Sequence, residues 1–505
     1  MDHDHGAMEM GEAGHAHATP AAPVVWSLLL VTLAFAGGLI WSARRALRRQ
    51  ATPGQPPGAD VLGMRVIGKA LRWRGFLAFL IVPTMVVFLL IVLAGLRGAQ
   101  DTDNPAILLT WILWWPAVIF TFFLAGRVWC SFCPFGYLGD VAQKIFSLRL
   151  KVPGILKNMW WRLGLFLALT WVTTLWALDR SPGGTAWLGL GLTLGAMALA
   201  VVFEKRTFCR YVCPLGGVFG LYSMTSPLRL AVKDPEVCRT GCSGKECFDS
   251  CTWFQYPPAM DRGAECALCL DCVRACPHDN IALRAQAPGT DLASFQTHRR
   301  SLDEASAIAA VLGVSLLQTA VMLTGWSGWE AKVGSWLHLA PGATLYTITY
   351  IVAGAILPLL LLGLLCYASQ AQEESRSGMG RALRTYAYCF LPLGLALHAA
   401  HNFHHLFGEG GAVWPGLKKA LAEYAGWAVA PVPPAAAAPN ALFALQWATL
   451  MAGLYLAYRV GVARVRRNGP RPDRAFRAVL PILLFAAAYT VMNAFMLAAP
   501  MAHRH

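Results

Sequence analysis

Twelve of the fourteen cysteines in this 505-residue chain stand in clusters, and their spacing is that of metal–sulfur chemistry. The densest stretch runs from Cys238 to Pro277. It places Cys238, Cys242, Cys247 and Cys251 in a C-x3-C-x4-C-x3-C run, then Cys266, Cys269, Cys272 and Cys276 in a C-x2-C-x2-C-x3-C-P run. In the second pattern three thiolates bind one iron–sulfur cubane and the fourth crosses to its neighbour. Two [4Fe-4S] clusters held by exchange are therefore expected: Cys238, Cys242, Cys247 and Cys276 on one, and Cys251, Cys266, Cys269 and Cys272 on the other. The alternatives are a zinc knuckle or a disulfide framework. Zinc sites, however, use two C-x2-4-C pairs rather than three closely spaced cysteines followed by Cys-Pro. Such a segment moves electrons.

Two further cysteine pairs repeat one design. Gly126-Arg127-Val-Trp-Cys130-Ser-Phe-Cys133-Pro134-Phe-Gly136 follows one apolar run, and Lys205-Arg206-Thr-Phe-Cys209-Arg-Tyr-Val-Cys213-Pro214-Leu-Gly216 follows another. A duplicated unit can meet itself about a pseudo-two-fold axis, so Cys130, Cys133, Cys209 and Cys213 are expected to act together, as ligands of a third cluster. A thiol–disulfide pair in each half, or cysteines that regulate, are the competing readings. Cys366 and Cys389 stand alone in apolar runs and read as inert.

Imidazoles form the other group. His398, His401, Asn402 and His405 recur at helical spacing and share one face, with His404 beside them, and the row spans about 10 Å. Ionisable groups at membrane depth default to a functional reading, although a hydrogen-bonded polar seam is the plainer account. Met492, Met496, His503 and His505 offer thioethers and imidazoles at the end of the chain, a set that suits copper. His3, His5, Met8, Met10, His15 and His17 repeat that chemistry in a polar tail too poor in apolar residues to fold alone. Haem b would need a second axial ligand, such as His338, a methionine or a partner chain, and quinone is the remaining ligand class for these histidines. His278, next to Cys276-Pro277, reads as a surface residue placed to tune a cluster.

These residues need a membrane frame. The chain is 56% hydrophobic and 14% charged, which places it among polytopic membrane proteins rather than soluble domains. Apolar runs of spanning length begin near residues 24, 76, 106, 163, 186, 306, 345, 386, 441 and 478. The expected fold is thus mainly α: about ten transmembrane helices with a small α+β two-cluster ferredoxin-like domain inserted on the cytoplasmic side. Its parts are a tail (1–23), a first helix with a basic linker (24–75), a duplicated four-helix unit (76–228), the cluster domain (229–300) and a five-helix domain (301–505). Charge orients the helices. Alternate loops hold 36 of the 42 Lys and Arg residues, and these loops carry every cysteine motif. By the positive-inside rule they are cytoplasmic and both termini are periplasmic, as in a bacterial inner-membrane protein. The net charge of +15 is therefore a topology signal, and nucleic acid is excluded as a partner.

Two membrane-edge Cys-Pro motifs followed by a two-cluster ferredoxin segment resemble the NapH/NosR/CcoG-type membrane polyferredoxins, over about residues 70–300. The resemblance implies electron transfer between a quinol pool or cytosolic donor and a periplasmic acceptor, with a redox protein as partner. Joined to the His and Met groups, it raises the expectation that copper is reduced from Cu(II) to Cu(I) for cuproenzyme maturation. A quinol dehydrogenase subunit using quinone or haem b is the second expectation, and a metal transporter or sensor with regulatory clusters the third.

Overall fold

The computed structural model describes residues 19–48, 58–242, 245–295, 301–372, 378–427, 437–468 and 472–501. The tail from His3 to His17, and His503 and His505, lie outside the described residues. Eight helices are long and apolar enough to cross a membrane: α1 (Ala22–Arg48), α2 (Phe76–Arg97), α3 (Pro105–Ala125), α6 (Pro182–Val202), α8 (Leu302–Val321), α9 (Ala343–Gln370), α12 (Pro439–Arg467) and α13 (Arg474–Ala498). Between them lie α4 (Pro134–Ile145), α5 (Trp160–Leu175), α7 (Pro214–Ser223), α10 (Leu391–Phe403) and α11 (Val413–Ala425). The chain is a helical, polytopic membrane protein. Apolar side chains on α2, such as Phe79, Val82 and Val86, are more than half exposed, as lipid-facing residues are.

Two of the ten expected spans differ from the sequence reading. The fourth, α5, has 16 residues, about 24 Å of rise. The eighth is broken: helix Met379–Tyr386 and a tight turn at Ala387–Cys389 precede α10. Residues 391–402 of α10 are all buried, so protein surrounds this helix, and a break in the backbone is tolerated there.

Each membrane-edge Cys-Pro opens a helix in a segment too short in apolar residues to span. Proline at the first helical position lacks only an N–H that would have had no partner, so Pro134 opens α4 and Pro214 opens α7. Helix α4 packs along α6. Every residue of α7 is buried, and this helix lies between α5, α8 and α10 on one side and the cysteine-rich insert on the other.

The insert is clamped by an antiparallel pair, β1 (Leu228–Val232) and β2 (Ile281–Ala285), in register from Leu228–Ala285 to Val232–Ile281. All eight clustered cysteines of the insert fall between the two strands. Leu230, Leu270, Val273, Ile281 and Leu283, with Leu62, form its small core. The insert is locked to the helices through Glu304 near the start of α8. That carboxylate accepts from Arg262 Nη1 and Nη2 at 2.8 and 2.7 Å and from Tyr388 Oη at 2.6 Å. Arg464 of α12 lies over the rings of Phe295 and Tyr388 at 4.6 and 4.9 Å. Helix α8 carries Glu304 at this end and Thr319 about 22 Å further along. It therefore spans from the insert to the histidine row.

Candidate electron-transfer site

Cys238, Cys242, Cys247 and Cys276 line one cavity of about 370 Å³ of empty space, together with Tyr256, His278 and Asn280. These are the four residues the crossed pattern assigns to one cubane. Asn280 joins the two halves: its backbone N–H donates to Cys276 Sγ at 3.3 Å and its Nδ2 to Cys238 Sγ at 3.2 Å. His278 points Nε2 at the Gly241 carbonyl, 2.9 Å away. The other four, Cys251, Cys266, Cys269 and Cys272, are close enough to perturb one another electrostatically. Burial pushes the Cys266 thiol up to about 12. A thiolate persists in such a place only beside a cation, which bound iron supplies.

The two membrane-edge pairs meet. Cys130, Cys133, Cys209 and Cys213 line a second cavity of about 420 Å³ of empty space, with Trp114, Arg127, Trp129, Phe219 and Trp253. Contacts run across the duplication: Arg206 of the second motif donates to the Cys130 carbonyl at 3.2 Å and is held by both oxygens of Asp140. A Cβ on Gly136 of the first motif would stand 1.9 Å from Arg206 Nη1 and 3.5 Å from Cys209 Sγ, so only glycine admits this approach.

The cavity fits an anion. Arg127 is fully buried in its wall; Nη1 donates to the Ala264 carbonyl at 2.8 Å, while Nε and Nη2 have no partner. A cubane with four thiolates carries net negative charge and would engage the two Arg127 nitrogens that Ala264 and Glu265 leave over. Among the described residues no three His, Cys, Asp or Glu side chains gather tightly enough for one metal ion.

Sequence reasoning missed the residues that join these cavities. Trp253 follows Cys251 by two positions, is 2% exposed, lines the membrane-edge cavity and stacks on Arg127 at 4.1 Å. Glu265, next to Cys266, is 3.5 Å from Arg127 and 3.3 Å from Arg162. Burial alone would raise its carboxyl, but Arg162, Arg127 and Arg262 hold it below the usual range. On the other side an aromatic row leads away: Trp129–Trp114 at 5.7 Å, Trp114–Trp115 at 6.0 Å and Trp115–His398 at 5.6 Å between ring centres. Tyr222 of α7 also reaches His398, with its hydroxyl 3.3 Å from Nδ1. Trp129 lies within a motif the sequence singled out; the rest of the row is tertiary.

The histidine row is buried from His398 to His405. His401 and His405 face each other, with Nε2 atoms 3.1 Å apart. Of the two expected thioethers, Met492 is 40% exposed and Met496 half-buried, and α13 turns Asn493 fully inward, because adjacent residues of a helix fall on different faces. His338, the other proposed haem partner, is exposed at the end of helix Trp326–Leu337.

A 4Fe-4S binding domain model matches residues 107–153 and 185–230, the two membrane-edge units. The chain is 30% identical over 173 residues to an uncharacterized protein of Methanocaldococcus jannaschii, covering 32% of this chain and 66% of that one. It is 27% identical over 179 residues to the methylamine utilization ferredoxin-type protein MauN of Paracoccus denitrificans, covering 30% of this chain and 62% of the relative. The regulatory protein NosR of Pseudomonas aeruginosa matches at 25% over 230 residues, 40% of this chain and 30% of its own. The chain thus spans less than two thirds of the length of these relatives. No solved structure matches. The duplicated 4Fe-4S binding domain and these relatives make the chain similar, at low identity, to membrane ferredoxin-type electron-transport proteins, and they support the NapH/NosR-type resemblance.

Proposed function

We propose that the chain conducts electrons from a cytosolic-side donor, through the insert, into the membrane-edge cavity and on toward the periplasmic half of the bundle. The observation that carries this reading is the position of the four-cysteine cavity: Trp253 of the insert forms one wall, and Trp114 and Trp129 of the aromatic row form another. The groups that these cysteines would hold supply one-electron chemistry when bound. The protein's own residues fix the route. Cys238, Cys242, Cys247 and Cys276 hold the entry site, and Cys251, Cys266, Cys269 and Cys272 the next. Cys130, Cys133, Cys209 and Cys213 hold the third, and Arg127 balances their charge. The Glu304 lock keeps the insert at a constant distance from the helices. Trp114, Trp115 and His398 then carry the route into the bundle. It enters the roughly 30 Å apolar layer that would otherwise separate cytosolic clusters from a periplasmic acceptor. Orientation follows from the basic loops, which lie on the insert side.

Copper at the far end has narrower support: two imidazole nitrogens approach each other, while Met492 is exposed and His503 and His505 lie outside the described residues. A quinol donor and a soluble redox protein remain the partner classes that the family suggests.

The route is tested by vesicles holding the full-length protein with its insert outward and hexaammineruthenium(III) trapped inside. External dithionite should reduce the trapped complex through the wild-type protein. Trp114→Leu with Trp115→Leu should slow that reduction about tenfold or more at unchanged iron content. Equal rates would remove the aromatic row from the route. A second expectation concerns potential. Asn280→Ala removes one N–H···S bond of about 1 kcal/mol, so one cluster should become harder to reduce by about 40 mV in a redox titration, with its iron retained.

A further inference from the structure

Beyond the route lies a chain of hydrogen bonds that electron transfer does not use. Glu409 Oε2 is 3.0 Å from His405 Nδ1, His405 Nε2 is 3.1 Å from His401 Nε2, and His401 Nδ1 is 3.4 Å from Thr319 Oγ1. All four residues are buried, with Glu409 3% and His405 1% exposed. His404, His405 and Glu409 sit on a π-helical stretch, His404–Glu409, a distortion that recurs at functional sites. The ring of His404 lies 5.9 Å from that of His405.

The proton count of this chain is informative. The hydroxyl proton of Thr319 is spent on the Ser315 carbonyl at 2.9 Å, so Thr319 Oγ1 accepts from His401 Nδ1–H. An ionised Glu409 accepts from His405 Nδ1–H. Both Nε2 atoms then present lone pairs to each other at hydrogen-bonding distance, which is repulsive unless one proton lies between them. That shared proton offsets the buried carboxylate, and the set is neutral as a whole. The same proton count has a second arrangement, in which Glu409 is protonated and donates to His405 Nδ1, and His405 Nε2–H donates to His401. Passing from one to the other breaks one O–H and one N–H bond, forms two N–H bonds, and moves a proton from Glu409 to the imidazole pair. No electron moves. From Glu409 to His401 the path covers about 12 Å along the helix.

We propose that Glu409, His405 and His401 form a proton relay from the far end of the bundle toward the His398 end of the aromatic row, with Thr319 fixing the His401 ring and the His401 Nδ1 proton as the one passed on. It serves an acceptor that must gain a proton together with its electron. The proposal rests on the electron route above: the electron comes by the aromatic row, the proton from the far side through Glu409, and the acceptor leaves with one of each. The residues use their two ring nitrogens in series, with an oxygen at each end, as a relay requires. Glu409 closes the chain at the end where Lys419 of α11 meets Asp101 and Asp103 in the loop after α2.

The test uses the same vesicles with two trapped acceptors. Hexaammineruthenium(III) takes an electron and no proton; a sulfonated, membrane-impermeant naphthoquinone takes both. Glu409→Gln and His405→Gln should slow reduction of the naphthoquinone by about tenfold or more and that of ruthenium by less than about twofold. If both acceptors slow alike, the two residues serve packing or the electron route, and the relay is wrong; it is equally wrong if neither slows. If wild-type protein fails to reduce trapped ruthenium at all, the electron route falls first and the relay with it. Metal analysis decides against the rival occupant of the imidazole pair: one copper per chain, lost in His401→Gln, would replace the shared proton with a metal ion.

Discussion

Cys213→Ala should lower electron delivery to a trapped acceptor by at least about two orders of magnitude, because no other described group offers a way from the insert into the roughly 30 Å apolar layer. The same loss is expected for Cys130→Ala, Cys133→Ala and Cys209→Ala, since all four line one cavity and a cubane needs each thiolate. The signals of the two insert clusters should survive in these variants, because Cys238 to Cys276 are held by the β1–β2 clamp and their own core. Vesicle assays combined with low-temperature EPR separate the two effects. Four unequal phenotypes would mean that the pairs work separately, as dithiols or regulatory cysteines.

Glu304→Ala should be the most damaging change away from the cysteines. The side chains of Arg262 and Glu304 are each 14% exposed, and the carboxylate also accepts from Tyr388. Removing it leaves the largely desolvated Arg262 guanidinium without its hydrogen-bonded counter-charge and with only the more distant Glu265, a loss of about 3 kcal/mol. Arg262 belongs to the insert and Glu304 to α8, so the damage falls on the joint between them. The expected result is earlier thermal release of the insert, seen as protease cleavage between β1 and β2, and electron transfer that fails at temperatures where the helices remain folded. Glu304→Gln, which keeps one acceptor oxygen for Arg262, should recover part of both. A Glu304→Ala protein as stable as wild type would show that the insert is held elsewhere.

The parts of this molecule that can be read from sequence are those whose information is local. The assignment of Cys276 to the first cavity rather than to its own run follows from a spacing rule, and the cavity lined by Cys238, Cys242, Cys247 and Cys276 has that composition. The meeting of Cys130 and Cys133 with Cys209 and Cys213 was suggested by the duplication alone. Helix α7 was hidden because its ten residues, three of them glycines, are too few for a span and follow a motif that looks like a loop; tertiary burial, not periodicity, makes it a helix. The break before α10 was hidden for the converse reason, since a buried helix needs no continuous pattern. Glu409 stood one turn beyond His405 and could have been added to the row by spacing. Thr319, Trp114, Trp115 and Trp253 could not, because their partners lie far away in sequence. Nor could the exposure of Met492, because a thioether in a helix carries no mark of which side it faces.

Iron and acid-labile sulfide, counted in anaerobically purified full-length protein and in Cys130→Ala, test the three-centre account most directly. Three clusters require about twelve iron per chain in the wild type and about eight in the variant, with one of three reduced-state EPR signals missing. About eight iron in both proteins, with identical spectra, would contradict it and leave the membrane-edge cysteines without a cluster.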